Sequence, residues 1–274
     1  MNPITGRRIG SRMLLVVYAL LVAVPLTVVV FGSFKNQSQI ITNPIGPPGQ
    51  PTLGGYRDVL DINILRSMRN SVVVVGFSVT LTLLLASFAA FAVTRLGGWR
   101  AAVLFGFFTV GMAVPAQVNG IQQYALFKDL GLTNSLHGLV LVYMAVTMPV
   151  SVFILTGFMR TLPSELFDAA VVDGASAWQI YRKVVIPLSG PSLAAVAIFL
   201  LVGHWNDLYY PLLFITDESK WTIPRTLASL RGEFLTDYSA LFAGVVIASA
   251  PMVAAYVFLQ RWFVAGLTSG AVKG

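Results

Sequence analysis

An all-α membrane protein with six transmembrane helices is the fold class this sequence predicts, on three observations. Of its 274 residues 56% are hydrophobic and only 11% are charged, with a mean hydropathy of +0.78. A water-soluble domain carries about 25% charged residues, so this chain has too few polar side chains to cover a surface facing water. Six apolar runs stand apart, each close to the ~20 residues needed to cross a hydrocarbon core about 30 Å thick. Inside lipid a segment must satisfy its own backbone donors and acceptors, which makes each run a helix.

The runs lie at about 13–34, 71–94, 101–118, 138–158, 188–208 and 239–259. The first follows the basic segment MNPITGRRIGSR, as in a signal peptide. Its apolar stretch from Met13 to Phe34 is 22 residues, longer than the core of a signal peptide, and no small-x-small cleavage pattern follows. It reads as an uncleaved first span. The third run is the shortest and contains Pro115. The fifth trails into YYPLLFI at 209–215, an interfacial or re-entrant piece.

Orientation follows the placement of lysine and arginine. With the N-terminus cytoplasmic, the inner segments hold ten basic residues against three acids, and the outer loops hold eight against eight. Both termini are therefore expected in the cytoplasm. The net charge of +7 reflects this asymmetry; no basic run or basic helix face points to nucleic acid. Prolines 25, 115, 149, 187, 191 and 251 fall in or beside spans and predict bent helices. These either enclose a cavity that opens to either side or are the prolines ordinary in membrane helices.

Several chemistries are excluded. The chain has no cysteine, which removes disulfides, thiolate metal sites and thiol nucleophiles. HExxH, GxSxG and metal-spaced histidines are absent. A phosphate-binding P-loop needs Gly-Lys-Ser/Thr, and the five lysines follow Phe34, Phe127, Arg182, Ser219 and Val272, never glycine. No acid falls at mid-membrane, which argues against proton coupling through a buried carboxylate.

One polar island interrupts the greasy runs: ELFDAAVVDGASAWQIYRKVVIPL, 165–188. The loop 159–187 holds Arg160, Glu165, Asp168, Asp173, Arg182 and Lys183. At ~2.5–3.5 kcal/mol per charge at mid-membrane, burying all six in lipid would cost roughly 15–20 kcal/mol, so the loop lies in the cytoplasm. Pro163 and Ser164 suit a helix start, and Glu165 and Asp168 in its first turn complement the positive end of the dipole. Gly174 stands where a helix stop favours a left-handed residue. Ser176-Ala177-Trp178-Gln179 has the form of a capping box, a new helix start, running to about Ile186 before Pro187 introduces the fifth span. The prediction is helix, sharp turn, helix: a rigid knob whose alanines keep its surface low. A plain solvated connector is the alternative.

Asp168-Ala169-Ala170-x-x-Asp173-Gly174-Ala175, closing on Val184-x-Ile186-Pro187, resembles the "EAA" loop of ABC importer membrane subunits, with aspartate where that family usually has glutamate. Asn70-Ser71, Gly131-Leu132-x-Asn134, His204-Trp205-Asn206-Asp207 and the C-terminus, with Gln260-Arg261-Trp262-Phe263 running to Gly270-Ala271-Val272-Lys273-Gly274, extend the resemblance over nearly the whole chain. The pattern is similar to the smaller membrane subunit of the carbohydrate-uptake branch, the maltose-transporter kind. The resemblance implies the ABC type I importer permease fold in the cell (inner) membrane of a prokaryote. It implies as partners a second homologous permease subunit, two ATP-binding subunits, an extracytoplasmic solute-binding protein and a sugar substrate. ATP and magnesium would sit on the partner ATPase, with no cofactor on this chain.

Glu165, Asp168, Ala169, Ala170, Asp173, Gly174, Ala175, Trp178 and Pro187 are then the expected ATPase-coupling residues. His204, Trp205, Asn206 and Asp207 are the expected substrate path, an aromatic beside amide and carboxylate groups that suits a sugar; an interfacial aromatic with a helix-end cap is the alternative. His137 is expected as an interfacial polar residue. The outer loop 35–69 is expected to be extended. By the resemblance, 209–238 is expected to face the binding protein, with a solvated connector as the alternative. The C-terminal stretch is expected to tuck against the ATPase. A self-contained secondary carrier or channel is the competing reading.

Overall fold

The computed structural model describes residues 3–115, 117–231 and 236–271, and the side chains of 12–115, 117–231 and 236–258. In chain order the helices are α1 Pro3–Gly32, α2 Gln37–Thr42, α3 Gly54–Asp61, α4 Ile64–Arg95, α5 Gly98–Met112, α6 Gly120–Asp129 and α7 Leu136–Met159. They continue with α8 Ser164–Val172, α9 Ala177–Ile180, a π-helical turn Tyr181–Val185, α10 Ile186–Leu188, α11 Gly190–Asn206, α12 Tyr209–Phe214, α13 Ile223–Ser229 and α14 Tyr238–Ala271. Among the described residues there is no strand, only an isolated bridge between Arg231 and Thr236.

Among the described residues four helical stretches are long and apolar enough to cross a membrane: Arg12–Gly32, Ile64–Arg95, Leu136–Met159 and Tyr238–Phe258. A fifth candidate is broken, because Ala177–Leu188 and Gly190–Asn206 meet at 73°. Ser189, Gly190 and Pro191 sit at that break, where proline cannot donate to the preceding turn. The predicted run 101–118 is shorter than anticipated: α5 stops at Met112, 15 residues long. Pro115 disfavours helical backbone in the residue before it, so the chain turns before α6.

The described residues cluster into two compact units, one reaching Leu65 and including Thr226–Pro251, the other Arg66–Arg225 and the residues from Met252. In the first, Val59, Ile64, Ala240 and Ala243 form a core closed by Tyr56, Leu227, Leu230 and Ile247. The segment 35–69 departs from the extended form expected of it. Asn36 caps α2 by accepting from the Gln39 amide, and α3 folds after the Pro/Gly stretch. Lys35 is buried, its Nζ donating to the carbonyls of Asn43 at 2.6 Å and Gly46 at 2.5 Å. These bonds tie the irregular stretch back to the end of α1 and satisfy an ammonium that would otherwise be costly to bury.

In the second unit α5 lies along α7, with Phe105 stacked on Phe153 at 5.8 Å, and α11 also packs on α7. Val74, Leu139, Val140, Val142, Tyr143, Tyr210, Phe214 and Ile215 form its core.

Candidate functional site

The knob is built by its own sequence. Glu165 lies in the first turn of α8, whereas Asp168, expected there too, falls in the second turn because the helix starts at Ser164. Gly174 ends that helix with φ +74°. The Ala175 amide donates to the Ala170 carbonyl at 2.9 Å and the Gly174 amide to Val171 at 3.0 Å. This paired ending, with glycine left-handed, satisfies carbonyls that the last turn leaves open. Two residues later Ser176 caps α9: its Oγ accepts from the Gln179 amide at 3.3 Å while Gln179 Oε1 accepts from the Ser176 amide at 2.8 Å. Stop and start are thus complete within ten residues of chain, Ala170 to Gln179.

Glu165, Asp168, Ala169, Asp173, Gly174, Trp178 and Pro187 are exposed, and Ala170 and Ala175 are half-buried. Apolar side chains stand exposed beside them: Val172 is 86% exposed and Trp178 55%. Phe167 and Tyr181 instead point inwards onto α4. Arg95 lies over the Phe167 ring at 5.1 Å, and Tyr181 stacks on Phe88 at 4.6 Å and meets Ser87 Oγ through its hydroxyl at 2.8 Å.

A second locality is the segment after α12. Asn134, left-handed at φ +53°, accepts on Oδ1 from the amides of Thr216 at 3.2 Å and Asp217 at 3.0 Å. Its own amide donates to the Phe214 carbonyl at 2.7 Å, and its carbonyl accepts from Lys220 Nζ at 2.9 Å. Asn70 Nδ2 donates to the carbonyls of Ser219 at 3.0 Å and Trp221 at 2.9 Å, and Ser71 Oγ accepts from the Ile223 amide at 2.9 Å. Asparagine suits this task because one amide group both donates and accepts, and it tolerates the left-handed region. Asp217 accepts from the Ser219 amide at 2.9 Å, and its bonds to Ser219, with Lys220 nearby, hold its carboxyl below the usual carboxylate range.

Residues 78–269, more than half of the chain, match the family of binding-protein-dependent transport system inner membrane components. The chain belongs to that family. It is a multi-pass membrane permease. The multiple sugar-binding transport system permease protein MsmG of Streptococcus mutans is 31% identical over 264 residues, 95% of each chain. The trehalose/maltose transport system permease protein MalG of Thermococcus litoralis is 29% identical over 273 residues, 96% of this chain and 98% of that one. The fold matches a chain of a bacterial ABC transporter involved in the import of the acidic polysaccharide alginate, with a TM-score of 0.80 over 96% of this chain and 99% of that chain, at 20% identity.

The permease gathers the four residues 204–207 at the end of α11 but gives them different surroundings. His204 is buried, its Nδ1 2.8 Å from Ser78 Oγ and its ring stacked on Tyr143 at 4.5 Å. Trp205 is buried, while Asn206 is exposed and bonds back to the Val202 carbonyl at 2.8 Å. Asp207 accepts from the Tyr143 hydroxyl at 2.9 Å and from the Tyr210 amide, in the first turn of α12, at 3.0 Å. His137 is exposed in the first turn of α7. An open cleft of about 600 Å³ between α5 and α7 is lined by Gly106, Phe107, Val110, Val114, Met148 and Pro149 among others. Apart from the weakly accepting Met148 sulfur, its lining side chains offer no hydrogen-bonding group, so it does not suit a polyhydroxylated ligand.

Sequence reasoning missed what holds both localities. Ser87, Phe88 and Phe91 gave no signal of their own in an apolar run. Asn70 and Asn134 were visible as motif residues, but their common target, 214–223, lies far along the chain. The C-terminal GAVKG stretch falls outside the residues whose side chains are described.

Proposed function

We propose that this permease is one membrane subunit of an ATP-driven, binding-protein-dependent sugar importer that moves solute by alternating access. It spans the inner membrane of a prokaryote six times with both termini in the cytoplasm, α5 and the broken α10–α11 pair supplying the spans beyond the four long ones. Its complex contains a second homologous permease, two ATP-binding subunits, which hold ATP and magnesium, and an extracytoplasmic solute-binding protein; this chain binds no cofactor. Sugar as cargo is favoured by the names of relatives, a multiple sugar-binding system and a trehalose/maltose system.

The observation that carries the reading is the knob. It is folded by its own caps and yet leaves Leu166, Val171, Val172 and Trp178 exposed beside Glu165, Asp168 and Asp173. An apolar patch rimmed by charge is what a protein partner covers. Glu165, Asp168, Ala169, Ala170, Asp173, Gly174, Ala175, Trp178 and Pro187 then form the contact with the ATPase. Closure of the ATPase pair moves the knob, and a rigid knob passes that movement on. Residues 204–207 border the substrate path, with Asn206 as the side chain open to solvent and Asp207 held ready by Tyr143.

Purification from native membranes tests this. The ATP-binding subunit should accompany the permease and be lost when 165–187 is scrambled. Uptake that continues in a preparation free of any ATPase would leave a self-contained carrier as the better account.

A further inference from the structure

Four described helices have at least 24 residues, and three of them carry an internal proline: Pro25 in α1, Pro149 in α7 and Pro251 in α14. The fourth, α4, has none over 32 residues. An internal proline removes one backbone bond and makes a bend point, so α4 is the long helix without a built-in hinge.

Polar contacts are spaced along α4. Asn70 and Ser71 hold the segment 219–223 at one end, Ser78 meets His204 of α11, and Ser87 meets Tyr181 of the knob. Ser71 and Ser87 are about 24 Å apart along the axis at ~1.5 Å per residue. Ser87, Phe91 and Arg95 recur every fourth residue and so share one face. Both arms of the knob rest there. Phe167 of α8 takes Arg95 over its ring, and Tyr181 lies against Phe88 and, at 5.5 Å, Phe91. Ser87 and Tyr181 are 2% and 5% exposed, so water does not compete for their bond. The Ser87 proton goes to the Leu84 carbonyl at 2.9 Å, which leaves the Tyr181 hydroxyl as the donor in the 2.8 Å contact. The covalent route from knob to α11, by contrast, passes through the 73° break at Ser189.

We propose that α4 is the rod that carries movement between the knob and the 219–223 segment, and that Ser87 and Tyr181 are the positioning residues that clasp the knob to it. The proposal rests on the importer reading above. It assigns the transmitting role to a helix that is not adjacent to the knob in sequence, in place of α7 or α11.

The test uses the complete complex in vesicles with its binding protein. Tyr181→Phe keeps the stacked ring and removes the hydroxyl; Ser87→Ala removes the acceptor. Each should retain its ATP-binding subunits and basal ATP hydrolysis. Binding-protein-stimulated hydrolysis and solute moved per ATP should fall about fivefold, the scale of one net hydrogen bond. The double variant should be no worse than either single one. Because the chain lacks cysteine, no other thiol of the permease competes when Ser87→Cys and Tyr181→Cys are joined by a short bis-methanethiosulfonate, each thiolate forming a disulfide as methanesulfinate leaves. Bridging should preserve or restore uptake relative to the unbridged pair, since knob and rod move as one body. Arrest of uptake on bridging, or unchanged coupling in both single variants, would overturn the rod. Absence of an ATPase from the wild-type complex would instead remove the importer reading, and is seen before any variant is made.

Discussion

The knob at 164–188 and the clamped segment at 214–223 are held by opposite strategies. The knob's ordering bonds join residues three to five apart, Ala175 to Ala170 and Ser176 to Gln179. The segment's bonds come from Asn70 and Ser71, about 150 positions away, and from Asn134, about 80 away. A locally closed unit can be displaced as a body without losing internal bonds. A segment held from elsewhere must follow whatever holds it. The difference suits a part that is pushed and a part that responds.

The largest expected effect is at the knob's turn. Gly174→Val places a β-branched side chain at φ +74°, a strain of roughly 1–2 kcal/mol, although no atom lies near enough to clash. The turn should reopen, so membrane insertion should persist while ligand-stimulated ATP hydrolysis and uptake fall tenfold or more. Normal values of both in vesicles would mean the turn's geometry does not matter to coupling.

A smaller effect is expected at the clamp. Asn134→Ala leaves the Thr216 and Asp217 amides without their acceptor and puts alanine at φ +53°. The cost should be about 1–3 kcal/mol, chiefly from the part-buried Asp217 donor and the left-handed backbone, since water reaches the exposed Thr216 amide. Amide exchange at 214–220 should accelerate while exchange within α8 and α9 stays the same; equal acceleration in both would erase the contrast drawn above.

The smallest effect is a pH dependence. A carboxyl whose folded pKa is depressed stabilises the fold above its unfolded pKa and loses that contribution as pH falls through the folded value. Asp217 is such a group, held down first by its bonds to Ser219. Asp217→Asn should therefore loosen the segment at neutral pH, with the gap to wild type closing below about pH 4. Its solvent exposure keeps the effect small, and proteolysis at 216–220 across that range would measure it.

Much of this was legible beforehand because it is written in short range. Gly174, Ser176 and Gln179 announce a stop and a start within six residues, and hydropathy alone marks the long spans. The loop 35–69 was misread because proline and glycine dominate its middle, while Asn36 and the residues after Leu53 quietly support α2 and α3. Residues 204–207 were recognisable as a polar group at a helix end. That His204 turns inward to Ser78 and Tyr143, while Asn206 faces out, depends on how α11 lies against α4 and α7.

The sequence alone determined a lipid-solvated helical chain with one polar knob, because hydrophobic length and helix capping act between near neighbours. Only the tertiary structure decided that the knob rests on α4 and that two asparagines share one target. Those choices belong to packing: residues such as Ser87 and Tyr181 become partners only when helices separated by some ninety positions are laid side by side.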